Sequence, residues 1–302
     1  METFVPLYIS NNCDSYCLMC GFNHSNTKLL RRTATDAEIE EQLKIIRDYE
    51  RISAVCILTG ELYSESARFN NLVCVCNAIN RALMLGFEQI YFNIGSLSYN
   101  EIEYIKRIII DPTKIVLSLF QETYDREAYK AFFGLHPECN SKADYQNRLD
   151  TIERWIEAEF KKIDIGILLG FKPIGNDVEK LVNYAKKYLD QGMEVYISTP
   201  RIKNGTINDE EYLNVLLQIH KAVPKAKLII TTREKLDFIN SAIDIISVVS
   251  PGSSDICPYN TGLYISNNRR TSQFVIDEKR MRPYDVLCGL NTDEPILYFK
   301  SK

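Results

Sequence analysis

The chain has 302 residues, 45% of them hydrophobic and 25% charged, with a formal net charge of -4. That balance describes a globular protein and excludes a disordered or collagen-like one, and the missing basic excess leaves nucleic-acid binding without electrostatic support. No apolar run approaches the length of a membrane span, while the length suits one α/β barrel of about 250 residues or slightly more.

The first residues show no basic segment ahead of a signal-type apolar core. Nine cysteines, an odd number with three in one loop, argue against a disulfide framework and for a reducing compartment. The expectation is a cytoplasmic protein with no membrane and no nucleic acid among its partners.

Short apolar runs rich in β-branched and aromatic residues predict strands over 5–10, 54–58, 89–93, 114–120, 162–169, 194–198, 227–231 and 245–249. Helical periodicity fills the intervals, over 35–50, 66–85, 99–110, 124–133, 145–160, 177–191, 209–223, 235–243 and 278–287. The first helix opens on a capping box, Thr35 with Glu38, and sets Ile39, Leu43 and Ile46 on one face. Eight strands in strict alternation with helices predict a (β/α)8 barrel, a single domain over 1–302 with 251–302 as a C-terminal extension packed on it. An open doubly wound sheet is the alternative, but it favours a glycine-rich phosphate turn after the first strand, where this chain has cysteines. A barrel carries its active site on the loops at the carboxyl ends of its strands.

Those loops hold the chemistry. After the first strand come Cys13, Cys17 and Cys20 in C-x3-C-x2-C spacing. Three thiolates so close can hold three corners of a four-iron cluster and leave the fourth iron free for another ligand. A structural zinc site is the alternative, with His24 near enough to be a fourth ligand. The remaining six cysteines read as buried or incidental thiols, and a helix turns Cys74 and Cys76 to different faces. The second strand leads to Thr59-Gly60-Glu61, the fourth to Glu122, the sixth to Arg201, the seventh to Arg233 and the eighth to Ser250. Singly, each has a plainer reading: a strand-end Glu as first-turn acid of the next helix, an Arg as a surface ion-pair partner. Two acids and two arginines on the rim that carries the cysteines suit a zwitterionic ligand, with Arg fitted to a bidentate grip on carboxylate.

Longer stretches carry a resemblance: Leu7 to Asn11 (LYISN), Cys13 to Phe22 (CDSYCLMCGF), Leu58 to Glu61 (LTGE), Gln121 to Tyr124 (QETY), Lys162 to Phe171 (KIDIGILLGF), Pro200-Arg201, Thr231 to Glu234 (TTRE), and Gln273-Phe274 through Arg280. In this order they cover nearly the whole chain, which resembles the radical S-adenosylmethionine aromatic amino acid lyases, a family of tyrosine and tryptophan lyases. The resemblance implies a radical-SAM TIM-like barrel with a [4Fe-4S] cluster on Cys13, Cys17 and Cys20 and S-adenosylmethionine chelating the open iron. It implies Phe22 by the adenine, Glu61 on the methionyl ammonium, Glu122 near the ribose or amino group, and Arg148 on the cofactor carboxylate. Arg233 and Ser250 match the pair that holds the substrate carboxylate, and Tyr8 and Ser15 are the candidate catalytic residues beside the substrate. The implied reaction takes hydrogen from the amino group of a free amino acid with a 5'-deoxyadenosyl radical. Tyrosine, expected ahead of tryptophan, then breaks between Cα and Cβ into p-cresol and dehydroglycine. The implied partners are the amino acid and a reducing donor such as flavodoxin or ferredoxin.

Three departures stand beside the resemblance. These lyases carry a segment ahead of the first strand, which here starts almost at Met1. The maturase's C-terminal cysteine cluster has no counterpart, so making diatomic ligands is not expected. Ser15 stands where these lyases usually have Asn over the substrate, which leaves open tryptophan or a mutase acting on another amino acid; the cysteine loop alone would also suit a non-catalytic metal-binding module.

Overall fold

Residues 1–203, 205–231, 233–265, 268–274 and 280–299 are described by a computed structural model. The strands are β1 (Glu2–Thr3), β2 (Val5–Tyr8), β3 (Ala54–Leu58), β4 (Gln89–Asn93), β5 (Ile115–Ser118), β6 (Lys162–Gly166), β7 (Glu194–Ser198), β8 (Lys227–Ile230) and β9 (Val248–Val249). The α-helices are α1 (Asp36–Asp48), α2 (Glu65–Met84), α3 (Tyr99–Ile108), α4 (Arg126–Phe132), α5 (Tyr145–Glu157), α6 (Asp177–Asp190), α7 (Asp209–Ala222), α8 (Leu236–Ser241) and α9 (Pro283–Cys288). The capping box at Thr35 forms, with Glu38 Oε2 accepting from Thr35 N at 2.7 Å and Thr35 Oγ1 from Glu38 N at 3.2 Å.

All strands run parallel, in the order β1-β9-β8-β7-β6-β5-β4-β3-β2. Strands β1 and β2 are one run of chain, separated only by Phe4. Its first part pairs with β9 (Glu2 with Val248) and its second with β3 (Val5 with Val55). One strand thus joins both ends of the sheet, and the barrel closes.

Alternation along the strands sorts the side chains into two sets. Val55, Ile57, Ile90, Phe92, Ile163 and Ile197 pack outward with the helices, in a cluster that includes Leu43 and Ile46 of α1. Phe4, Cys56, Tyr91, Val116, Tyr196, Ile229 and Val248 meet in the bore. At the amino-terminal end of the bore, Lys227 Nζ contacts Glu194 at 2.6 Å and also reaches Glu2, while Lys162 Nζ donates to Gln89 at 2.8 Å. These first residues of their strands plug that end, so access is from the carboxyl ends.

The strands over 114–120, 162–169 and 245–249 are shorter than the sequence predicts. Beyond Ser118 and Gly166 the chain keeps only single parallel bridges, Glu122 with Ile167 and Leu169 with Arg201. Ile245 instead closes the turn after α8, its N–H donating to Ala242 O at 3.0 Å. The last helix starts at Pro283, and the predicted start at Glu278 lies outside the described residues. Residues after β9 return across the barrel: Ile256 bridges Tyr8, Gln42 exchanges two hydrogen bonds with the Tyr259 backbone, and Arg282 pairs with buried Glu50 at 3.1 Å. Among the described residues no helix is long and apolar enough to cross a membrane.

Candidate active site

A cavity of about 200 Å³ opens at the carboxyl ends of the strands, and Cys13, Cys17 and Cys20 all line it. The cysteine loop is seated on the turn after β3. A β-carbon on Gly60 would lie 2.3 Å from Asn12 O and 2.4 Å from Cys13 Cβ, so only glycine admits the loop this close. Asp14 N donates to Glu61 O at 2.8 Å and Tyr63 N to Asp14 Oδ2 at 2.8 Å, which locks the two segments together. Backbone N–H groups point at two of the sulfurs, Ser15 N at Cys13 Sγ and Phe22 N at Cys20 Sγ, both at 3.4 Å. Burial, with Cys20 nearby, pushes the Cys13 thiol up to about 11, and burial also raises Cys17 and Cys20. Three such neighbouring thiols suit a metal centre, whose positive charge offsets the thiolates it binds. Among the described residues no three His, Cys, Asp or Glu side chains converge to hold a single metal ion. His24 does not join the thiols: its ring is exposed, with Nδ1 3.3 Å from Cys13 O and 3.7 Å from Asp14.

Behind the cysteines stand four charges. Arg148 donates to Glu61 Oε1 at 2.8 Å, and Lys142 to Glu122 Oε1 at 2.6 Å. Lys142 also lies 3.7 Å from Glu61. Burial by itself would raise the Glu61 carboxyl, but Arg148 and Lys142 outweigh it and hold the group below its usual value. Neither glutamate caps a helix: Ser64 caps α2 and Asp125 caps α4. Glu122 has φ of 67°, a left-handed conformation that costs a residue with a β-carbon about 1–2 kcal/mol. Strain of this sort at a cavity wall points to function. Gly95, at φ 91°, presses on Glu61, and a β-carbon there would lie 2.5 Å from Oε2. Glu61 Oε2 and Ser15 Oγ are both buried without a hydrogen-bond partner among the described residues, and both residues line the cavity.

Arg148 departs from the expectation of a cofactor contact. It is 2% exposed and lies behind Glu61, off the cavity lining, with Nε donating to Phe120 O at 2.6 Å. Lys142, which the sequence reading missed, is the cation on the lining beside the two acids.

Tyr8, Phe22, Arg233 and Ser250 all line the cavity. The Tyr8 hydroxyl donates to Gln273 Oε1 at 2.6 Å, and its ring meets Phe22 edge-on at 5.7 Å. The Arg233 guanidinium lies 4.1 Å over the Phe274 ring and donates to Arg201 O at 3.2 Å, with no carboxylate partner among the described residues. Desolvation lowers its pKa. Arg201 is corrected: it leaves the lining, pairs with Glu234 at 2.7 Å, and lies over the rings of Tyr212 and Phe238, each at 4.9 Å. Among the described residues one rim arginine, Arg233, not two, lacks a carboxylate partner. Thr232 of the TTRE stretch and residues 275–279 lie outside the described residues.

Two more lining groups escaped sequence reasoning. Gln273 opens one of the stretches that carry the resemblance, but nothing in its spacing gave it a role in the site. Asp164 lies mid-strand within KIDIG, where the only signal was a charge inside an apolar run. It accepts from Ser118 Oγ at 2.7 Å and from Ser198 Oγ at 2.9 Å, and burial pushes its carboxyl up to about 7.

Two 2-iminoacetate synthases, from Escherichia coli (strain K12) and Salmonella typhimurium, are each 25% identical to this chain over 302 residues, 95% of it and 74% of the relative. The chain resembles the 2-iminoacetate synthases over nearly its whole length. No family model matches. The fold is that of the FeFe-hydrogenase maturase HydG from Carboxydothermus hydrogenoformans, with TM-score 0.79 and 24% identity over 93% of this chain. The alignment spans 64% of HydG, less than two thirds of its length. Methylornithine synthase (PylB) has the same fold, at TM-score 0.68 and 16% identity over 97% of this chain and 83% of that one.

Proposed function

We propose that the protein is a radical S-adenosylmethionine lyase that breaks the Cα–Cβ bond of a free aromatic amino acid, L-tyrosine first. One arrangement carries the reading: three cysteines, the paired charges of Glu61, Glu122 and Lys142, and a carboxylate-free Arg233 line one cavity. Its donors fit both groups the relatives suggest. Three thiols share a cavity, two of them facing backbone N–H groups, which suits a [4Fe-4S] cluster with one open iron. The orphaned oxygens of Glu61 and Ser15 are acceptors for a ligand's ammonium or hydroxyl groups.

In this reading Cys13, Cys17 and Cys20 hold the cluster, and Phe22, Glu61 and Glu122 hold S-adenosylmethionine. When bound, the two groups supply a 5'-deoxyadenosyl radical that removes a hydrogen atom from the substrate. Arg148 acts through Glu61, keeping its carboxylate ionised and turned so that Oε2 is free to accept from an ammonium. Lys142 pairs with Glu122 Oε1 and fixes where that carboxylate sits. Arg233 and Ser250 grip the substrate carboxylate, and Tyr8 and Ser15 bound the substrate on the cysteine side. The buried walls exclude water, which strengthens these polar contacts and protects a radical from quenching. The reading includes a cytoplasmic setting, a one-electron donor such as flavodoxin or ferredoxin, and a single domain over 1–302 with 251–302 as its extension. Ser15, in place of the usual Asn, favours a second substrate reading, tryptophan or another free amino acid on the same scaffold.

The test is anaerobic reconstitution with iron and sulfide, then turnover with S-adenosylmethionine, dithionite and L-tyrosine. 5'-Deoxyadenosine and p-cresol in comparable amounts are expected. 3-Methylindole-2-carboxylate from tryptophan supports the second substrate reading. Preferential zinc binding, or no cleavage of S-adenosylmethionine, overturns the enzyme.

A further inference from the structure

The mechanism above leaves unused the best-defined polar group in the bore. Asp164 is 2% exposed, yet it lines the same cavity as Cys13 and Arg233, as do its partners Ser118 and Ser198. Four other buried acids face cations: Glu50 has Arg282, Glu61 has Arg148, Asp177 has Lys172 and Glu234 has Arg201, while Asp255, away from the cavity lining, is held by two backbone N–H groups and the Thr271 hydroxyl. Asp164 has two hydroxyls and, among the described residues, no cation. Each carboxyl oxygen accepts from one serine and keeps a further lone pair. The group is therefore half-satisfied, deep in the barrel, at the far end of a cavity whose rim holds the candidate carboxylate grip.

The walls between rim and floor are apolar. Phe4, Pro6, Cys56, Leu58 and Phe120 line them. Gly166 lets β7 and the Phe120 ring of that wall pack close, since a β-carbon there would lie 2.1 Å from Ser198 O and 2.9 Å from Phe120 Cδ1. The depth follows from strand register. Ser198 is level with Ile229, and Ile229 with Val248. Ser250 lies two residues further along, one inward layer or ~7 Å of strand rise above Ser198. An amino acid held by its carboxylate at Arg233 and Ser250 can therefore send its side chain down an apolar, ring-walled passage toward an acid and two hydroxyls. Such a passage fits a flat apolar body with a hydrogen-bond donor at its tip.

We infer that Asp164, set by Ser118 and Ser198, is the specificity-determining floor of the substrate pocket and accepts a hydrogen bond from a phenolic hydroxyl. The inference rests on the aromatic amino acid reading above and adds a requirement to it: the tip must donate. Tyrosine satisfies the floor. Phenylalanine leaves the acid buried beneath an apolar ring, and sites built around a substrate hydroxyl discriminate strongly against the analogue that lacks it.

The experiment is anaerobic calorimetric titration of the cluster-loaded protein with S-adenosylmethionine present and no reductant. The probes are L-tyrosine, 4-amino-L-phenylalanine, L-phenylalanine, 4-fluoro-L-phenylalanine and L-lysine. Tyrosine is expected to bind at least about 100-fold more tightly than phenylalanine or its fluoro analogue, with the amino analogue near tyrosine. Asp164→Leu is expected to bring tyrosine down to the affinity of phenylalanine, while the near-isosteric Asp164→Asn keeps part of the preference. Equal affinity for tyrosine, phenylalanine and the fluoro analogue overturns the inference and leaves the aromatic lyase standing. A folded Asp164→Leu protein that keeps the tyrosine preference does the same. Preference for lysine, or binding of no aromatic probe, overturns the lyase reading as well. Should Asp164→Leu fail to fold, the wild-type probe series decides alone.

Discussion

Most buried acids of this protein face a cation, and Asp164, held by two serine hydroxyls, is one that pH can reach. Its carboxyl is held at about 7 in the fold against an ordinary 3.8, because burial disfavours the charged form. The folded state therefore binds this proton more tightly than the unfolded chain. The resulting stability is fully present below the unfolded value and is lost as pH rises through 7. Asp164→Asn removes the titration, so relative to wild type the variant should gain about 2 kcal/mol between pH 5.5 and pH 8, read from urea midpoints. A difference that stays flat with pH would mean that the acid is ionised throughout. Single residues were the least legible level of the sequence. Cys13, Cys17, Cys20, Glu61 and Glu122 announce themselves because they follow strands or share a motif. Lys142 sits in the connection between α4 and α5, and only folding brings its ammonium to Glu122. Arg201 misled for the opposite reason, since it does follow a strand but turns away to Glu234 and two aromatic rings.

At the level of elements, the loops after β2 and β3 behave as one unit. Gly60 is its contact point, and a single added carbon would strike both Asn12 O and the Cys13 side chain. Gly60→Ala should cost about 1–3 kcal/mol, as overpacking does. More tellingly, it should lower iron and sulfide content after reconstitution severalfold, with little change in far-UV circular dichroism. Full loading in a stable variant would show that the loop can shift off the turn. The elements themselves were readable. Strands β3, β4 and β7 match the sequence reading residue for residue, because buried parallel strands are short apolar runs bounded by turns. The ends of β5, β6 and β9 were less so. Those ends are fixed by which backbone groups a neighbouring strand meets, and at the barrel rim the chain leaves the ladder while its composition stays apolar.

For the molecule as a whole, stability depends on closing the ring with the first strand. Phe4 sits at the join, stacked on Tyr91 with ring centroids 4.3 Å apart, and belongs to the cluster that fills the bore. Phe4→Ala should cost about 3–5 kcal/mol of unfolding free energy, whereas Phe4→Leu should cost under about 2. A loss below 1 kcal/mol in urea titrations of the alanine variant would mean that the bore refills. The pairing of Glu2 with Val248 also has a bearing on how the protein is made. On a ribosome adding about 5–20 residues each second, the two halves of that seam emerge on the order of 10–50 s apart. Through that interval the cysteine loop hangs from a strand that has β3 beside it but not yet β9, open to oxygen and to any passing metal. Until the last strand arrives, the loop that holds the three thiols is therefore seated on one flank only.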